Sequence, residues 1–313
     1  MTGAALQARL LWRRNEGLLA LYLLLAALLV LYAVLFPGLL SVSGVARFTQ
    51  NWFPVALVAV AQTLVMLAGG IDLAIGATVS LGTVIAASLL GDNLGSTALG
   101  SLAVLLAGAA IGAVTGSIVA LLRLPAIIVS LAGSFIVGGL ALLVMPRPGG
   151  SVPAWFSELL AGDKPTALLL LVMILLAWRV LQATPLGHAI GAAGDNPHGA
   201  FRSGIDVVRA RIWTYTISGA LSALAGLYVA AQTGAGDPVI GNPLTLDSIA
   251  AAVLGGVGFL GGQGTLRGAV AGSLLLAILI NVMFFMGFPP VAQYVAKGLI
   301  IVGAMALRLL KER

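Results

Sequence analysis

The chain has 313 residues, of which 60% are hydrophobic and only 8% are charged, and its formal net charge is +6. Because soluble domains carry about 25% charged residues, this composition excludes an ordinary soluble domain and predicts an all-α polytopic membrane protein. The chain has no cysteine, so disulfides and thiolate metal sites are excluded.

Ten apolar stretches are candidates to cross a hydrocarbon core of about 30 Å, although two of them are short. The first, 17–36, is longer than the apolar region of a signal peptide, about 7–15 residues, so we expect a retained span. We therefore predict about ten transmembrane helices in one transmembrane domain covering residues 1–313. The other predicted spans are 53–69, 73–90, 97–122, 124–145, 166–182, 212–231, 248–262, 266–286 and 291–309.

The basic residues predict the orientation of these spans. Cytoplasmic connections are enriched in Lys and Arg, and both ends of this chain are basic, so we expect both termini in the cytoplasm. The outer connections then contain only Arg47, Arg147 and Lys164 of the sixteen basic residues. The basic residues at the two ends are Arg9, Arg13, Arg14, Arg308, Lys311 and Arg313.

Three polar residues within the apolar stretches are candidates for a translocation pathway. Asp72 follows Gly69-Gly70 and precedes the third span, so it suits either an N-cap that accepts free backbone amides or a pathway residue, and the pattern favours the cap. Gln62 and Asn281 either contact a hydroxylated solute or form hydrogen bonds between helices.

Glycine spacing predicts both helix packing and an internal repeat. Gly108, Gly112 and Gly116 lie on one face of the fourth span and predict a close helix–helix contact. Residues 67–84 and 253–270 align without gaps at an offset of 186, which suggests repeat halves at about 50–145 and 212–309.

The connection 183–211 is unusually polar and contains both histidines of the chain, His188 and His198. Asn196-Pro197 is a helix-start signal and Gly204 a C-cap, which predicts a helix of about two turns. A helix that short is unstable alone, so the pattern favours a segment bound by another protein. The alternative is a solvated loop with a basic flank at the membrane surface.

Several function classes lack the residues that they require. The absence of a Gly-Lys dipeptide excludes a P-loop, so this chain does not hydrolyse ATP alone, and no zincin or G-x-S-x-G motif occurs. We find no buried acid–base pair along the spans, which argues against a proton relay. The sequence therefore predicts a transporter rather than an enzyme, without a cofactor, a metal site or a nucleic-acid partner.

Four motifs, taken together and in order, resemble the permease subunits of ribose-type ABC importers. They are GGIDLAIG (69–76), GAAGDNPHGAFRSGI (191–205), TLDSIAAAVLGGVGFLGGQGTLRGAVAG (245–272) and FPPVAQYVAKGLIIV (288–302). This family also includes permeases for xylose, arabinose, galactose, galactofuranose and autoinducer-2, and it is distantly similar to branched-chain amino acid permeases.

The resemblance implies a multi-pass protein of the bacterial inner membrane that pairs with itself or with a second permease subunit. Two cytoplasmic ATPase domains would drive it, and a periplasmic binding protein would deliver a monosaccharide or a similar small solute. The alternatives are import of another small solute, such as a nucleoside or an amino acid, and a self-sufficient facilitator. The resemblance places the ATPase contact in 183–211, on Gly194, Asp195, Asn196, Pro197, Ala200, Arg202, Ser203, Gly204 and Ile205, with Phe201 where the family has a small residue.

Overall fold

The structure, a computed structural model, describes residues 21–259 and 261–311. Over these residues the chain forms thirteen α-helices and one 3₁₀ helix, without a strand. The basic residues Arg9, Arg13, Arg14 and Arg313 lie outside the described residues. The helices are α1 Leu21–Leu35, the 3₁₀ helix Pro37–Leu40, α2 Val42–Leu67, α3 Ile75–Leu89, α4 Leu94–Leu121, α5 Ala126–Val144, α6 Ala154–Ala161, α7 Thr166–Gln182, α8 Pro185–Asp195, α9 Pro197–Arg202, α10 Val207–Thr233, α11 Asn242–Leu254, α12 Leu266–Phe285 and α13 Pro290–Lys311.

Each predicted span overlaps a helix, and the largest differences in bounds are at α2 and α11. The helix α2 begins at Val42 rather than at residue 53, because Pro54 is tolerated inside it and its first turns are polar. The helix α11 covers Asn242–Leu254 rather than 248–262. It ends early because Gly256, Gly261 and Gly262 have positive φ, which no helix accommodates.

Hydrophobic length alone identifies fewer spans than the sequence predicted. Five helices, α2, α4, α5, α10 and α12, are each long and apolar enough to cross a membrane, and α6 with α7 forms a sixth candidate bent by 68°. The helices α1 and α3 are apolar but shorter. The structure therefore agrees with a polytopic membrane protein, while the number of spans remains a prediction.

The central helix is α10, which packs against α2, α3 and α4. The predicted glycine face of α4 makes this contact. A Cβ added to Gly116 would lie 2.9 Å from Tyr215 Cβ, and one added to Gly112 would lie 2.7 Å from the Tyr215 carbonyl carbon. Gly108 faces the backbone of Gly219 in the same way. The predicted packing seam is confirmed, since any side chain here would force α4 and α10 apart.

The two segments that suggested a repeat share an order but not a register. Each consists of a helix, a glycine-containing break and a second helix, and the breaks are 68–74 and 255–265. Gly76 lies inside α3, whereas its aligned partner Gly262 lies in the second break with φ +68°. The gapless alignment therefore fails after the first helix, and the repeat itself stays a prediction.

Candidate coupling surface

The polar connection contains two helices rather than one. The first, α8, begins at Pro185, and the Thr184 hydroxyl oxygen accepts a hydrogen bond from the Gly187 amide at 3.3 Å. Sequence reasoning missed α8, although a threonine followed by proline is a helix-start signal that was available. Ile190, Ala193 and Gly194 are buried and lie three to four residues apart, so α8 turns one face to the protein interior.

The second helix, α9, has the predicted ends. Asn196 is its N-cap, and its side-chain oxygen accepts the Gly199 amide at 2.9 Å. Gly204 has φ +82°, its amide donates to the Phe201 carbonyl, and the next amide donates to the Ala200 carbonyl. These two bonds are the Schellman arrangement that closes a helix C-terminus. The predicted caps are thus confirmed, for a helix of six residues.

The end of α8 is wedged between the two helix breaks. A Cβ on Gly194 would collide with the carbonyl oxygen of Leu67, the last residue of α2, and would lie 2.8 Å from the Gly262 nitrogen. That nitrogen donates a 3.0 Å hydrogen bond to the same Leu67 carbonyl. A Cβ on Gly261 would lie 2.9 Å from Gly69 Cα and 2.8 Å from the Gly194 oxygen. Three backbones therefore meet without side chains between them, and we call this contact the glycine junction (Gly69, Gly194, Gly261 and Gly262).

The outer side of α8 and α9 is open. Of the residues predicted to contact an ATPase, Asp195, Asn196, Arg202, Ser203 and Gly204 are exposed, Pro197 and Ile205 are partly exposed, and Gly194 and Ala200 are buried.

Phe201 is the residue on this surface that sequence reasoning did not select. Its side chain is 75% exposed and extends from α9, between the buried Ala200 and the exposed Arg202. The sequence signal was its departure from a small residue. An exposed aromatic ring beside cationic and small polar groups has the composition of a protein–protein contact.

Asp72 lies at the same end of the molecule, in the break 68–74. Its carboxylate accepts the Ala74 amide at 2.9 Å, but α3 begins at Ile75 with Ala74 as its N-cap. The predicted cap is therefore wrong in position, because Asp72 forms a tight turn before the helix instead. The break is also fixed by the Ser130 hydroxyl, which donates to the Ile71 carbonyl at 3.1 Å, and by the Tyr215 hydroxyl, which lies against Gly70.

The structure does not bring the three predicted pathway residues together. Gln62 is fully buried in α2, and neither atom of its amide has a hydrogen-bond partner. Asn281 donates to the Ala277 carbonyl at 2.8 Å and lines a cavity of about 570 Å³ near the far end of α12, beside Arg47 and Asn51. Asp72 belongs to the opposite end, so these residues do not form one site.

Neither histidine has the surroundings of a catalytic or metal-binding group. Both are exposed, and His188 Nδ1 lies 2.9 Å from the Thr184 carbonyl oxygen of its own helix start. Within residues 21–259 and 261–311, no group of three or more His, Asp or Glu side chains is placed to hold a metal ion.

Comparison with known proteins identifies the family. The family described as "Branched-chain amino acid transport system / permease component" matches residues 44–305. The chain is 34% identical over 294 residues to the ribose import permease protein RbsC of Escherichia coli K12, covering 90% of this chain and 91% of that protein.

Two further relatives are permeases named for other solutes. Identity is 32% over 297 residues to the fructose import permease protein FrcC of Rhizobium meliloti, covering 89% of this chain and 82% of that protein. It is 34% over 258 residues to the autoinducer 2 import system permease protein LsrC of Yersinia pestis (strain Pestoides F), covering 80% and 72%. No solved structure matches. The chain therefore belongs to the family of ribose-type ABC importer permeases.

Proposed function

We propose that this protein is the membrane-embedded permease of a binding-protein-dependent ABC importer for a monosaccharide or a similarly small hydroxylated solute. The relatives are named as permeases for ribose, fructose and autoinducer 2, which supports this solute class. The importer operates in the bacterial cytoplasmic membrane with ten spans and with both termini inside. ATP hydrolysis takes place on partner subunits, since no P-loop is present in this chain.

The observation that carries this proposal is the glycine junction beneath an exposed pair of short helices. The outer side of α8 and α9 is free to be bound by an ATPase subunit, while Gly194 on their inner side touches both helix breaks. Because backbone packs on backbone at Gly194, a displacement of α8 cannot be absorbed by side-chain rotation. It is transmitted to the end of α2 and to the break before α12, which moves two helix pairs at once.

The partners follow from the surfaces that the chain leaves uncovered. The helices α4, α5 and α7 present exposed apolar residues such as Leu106, Phe135 and Leu176, which suit lipid or a second permease subunit. Two ATPase domains bind at α8 and α9, one for each permease subunit. A periplasmic binding protein delivers the solute at the opposite end, where α6 lies.

Reconstitution tests the proposal directly. The chain is purified with its ATPase subunit and binding protein, inserted into liposomes, and assayed for ATP-dependent uptake of ribose, fructose and other monosaccharides. We expect uptake only when all components and ATP are present. Equal uptake by the chain alone, down a gradient and without ATP, would refute an ABC permease and establish a facilitator.

A further inference from the structure

A buried ion pair joins α11 to α13, although the sequence predicted no such pair along the spans. Lys297 Nζ lies 2.7 Å and 2.9 Å from the two carboxylate oxygens of Asp247. The Asp247 side chain is 9% exposed and that of Lys297 is 16% exposed. The prediction was wrong because the partners are fifty residues apart in the chain.

Ion pairs are a costly way to connect two apolar helices. Both charges lose most of their hydration on burial, and a pair of well-packed apolar side chains connects helices at a lower free-energy cost. Ionisable groups within membrane segments therefore mark functional sites by default. The glycine junction contains no residue of α11 or α13. The coupling proposed above therefore does not explain why these two helices share an ion pair.

The pair keeps hydrogen-bonding capacity that the described residues do not use. An ammonium group has three donors, and a carboxylate has about four acceptor positions. Within residues 21–259 and 261–311, Lys297 Nζ donates a hydrogen bond to one Asp247 oxygen at 2.9 Å and forms an ion pair with the other oxygen at 2.7 Å. Even with both contacts counted, one donor of Lys297 and about two acceptor positions of Asp247 have no partner among the described residues.

An aromatic ring completes the cluster. Tyr294 lies one turn before Lys297 on α13, with its ring centroid 5.5 Å from Lys297 Nζ. Its side chain is 56% exposed and lies on the same outward side of α13 as Val291 and Val295. The cluster is therefore reached from the surface of the subunit and is not sealed in its core.

These three groups match the chemistry of a sugar. A carboxylate accepts hydrogen bonds from hydroxyl groups, an ammonium donates to hydroxyl oxygens, and a ring face packs against the apolar C–H side of a pyranose or furanose. We propose that Asp247, Lys297 and Tyr294 form a contact site for a polyhydroxylated solute as it crosses the membrane. The site rests on the proposed function and adds the residues that the solute touches.

The absence of native cysteine makes a labelling test specific. Tyr294→Cys leaves the ion pair intact, and the permease–ATPase complex carrying it is treated in liposomes with a charged thiol reagent. We expect labelling, and we expect a transported monosaccharide at about four times its apparent Kd to slow it about fivefold, since the site is then about four-fifths occupied. A sugar that is not transported, at equal concentration, controls for osmotic effects. The matched control is Asp92→Cys, exposed in the connection between α3 and α4, whose labelling no sugar should alter.

Two outcomes of this test overturn the site. One is a Tyr294→Cys variant that resists the charged reagent, because Tyr294 then faces lipid. The other is labelling at a rate that the transported sugar leaves unchanged. If the wild-type complex takes up no sugar, the proposed function itself fails, whereas uptake without protection at Tyr294→Cys removes only the contact site.

Exchange of the two charges separates solute contact from a purely structural role. Asp247→Asn and Lys297→Met are each expected to lower uptake about tenfold or more, since each leaves a buried charge unpaired and removes a solute contact. The exchanged variant, Asp247→Lys with Lys297→Asp, restores an ion pair. We expect it to recover the apparent Tm of the complex but not the uptake rate. Recovery of both would show that the pair only connects two helices.

Discussion

Replacing Gly194 by alanine tests the glycine junction with a single methyl group. Inside a helix, alanine in place of glycine is favoured by about 0.8–1.0 kcal/mol. At Gly194 the added Cβ collides with the Leu67 carbonyl oxygen and lies 2.8 Å from the Gly262 nitrogen, and both are backbone atoms. Forcing an atom into such a contact costs about 1–3 kcal/mol, and loss of the Gly262–Leu67 hydrogen bond costs about 1 kcal/mol more. We therefore expect net destabilisation of about 1–3 kcal/mol.

The matched control lies one turn earlier on the same helix. An added Cβ on Gly191 would have no heavy atom within 4 Å, so Gly191→Ala should gain helix stability without a steric cost. The apparent Tm of the reconstituted complex should fall for Gly194→Ala, by about 2–4 °C for each kcal/mol, and stay level or rise for Gly191→Ala. Solute-stimulated ATP hydrolysis should fall for Gly194→Ala alone. Equal Tm values and equal stimulation in both variants would show that α8 does not transmit its position through this contact.

Three further substitutions probe the coupling surface and the helix seam. Phe201→Ala should weaken ATPase binding about thirtyfold in a pull-down titration, which corresponds to about 2 kcal/mol for an aromatic side chain buried in the complex. The control is Phe284→Ala, which removes an equally apolar side chain that is 66% exposed far from that surface and should leave ATPase binding unchanged. Gly204→Ala should lower the stability of the folded protein by about 1 kcal/mol, because φ at this position is +82° and an added Cβ meets no neighbouring atom. Circular dichroism and an ATPase assay should show a smaller defect than that of Phe201→Ala. Gly112→Leu should prevent α4 from packing on α10 and abolish the monodisperse folded protein in detergent, whereas Gly138→Leu on α5, with open space around it, should not.

Local sequence signals succeeded where the structure is itself local. The start of α9 at Asn196-Pro197 and its end at Gly204 depend on hydrogen bonds that reach at most five residues along the chain. The α4 seam was also predictable, because a glycine every four residues on an apolar helix has few other uses. In both cases the residue type and its spacing already carry the physical constraint.

Contacts between distant segments could not be predicted in this way. The Asp247–Lys297 pair joins residues fifty positions apart, and neither residue alone indicates its partner. The burial of Ala200 and the exposure of Phe201, next to each other on α9, depend on which side of that helix faces α8 and α10. The sequence pattern of a six-residue helix is too short to define such a face.

Glycines that align in the predicted repeat do not have the same backbone conformation. The alignment at an offset of 186 pairs Gly69 with Gly255, yet the residues with the same φ of +81° are Gly69 and Gly256. Both close a helix by the same two hydrogen bonds, from Gly69 to Met66 and from Gly256 to Val253, each followed by a bond from the next amide. Since α9 and α12 end with the same pattern at Gly204 and Gly287, this closure is a general way to stop a helix and does not by itself indicate a repeat. The breaks at 68–74 and 255–265 differ from these other helix ends because both contact Gly194. This backbone contact, rather than the aligned residues, connects the two breaks.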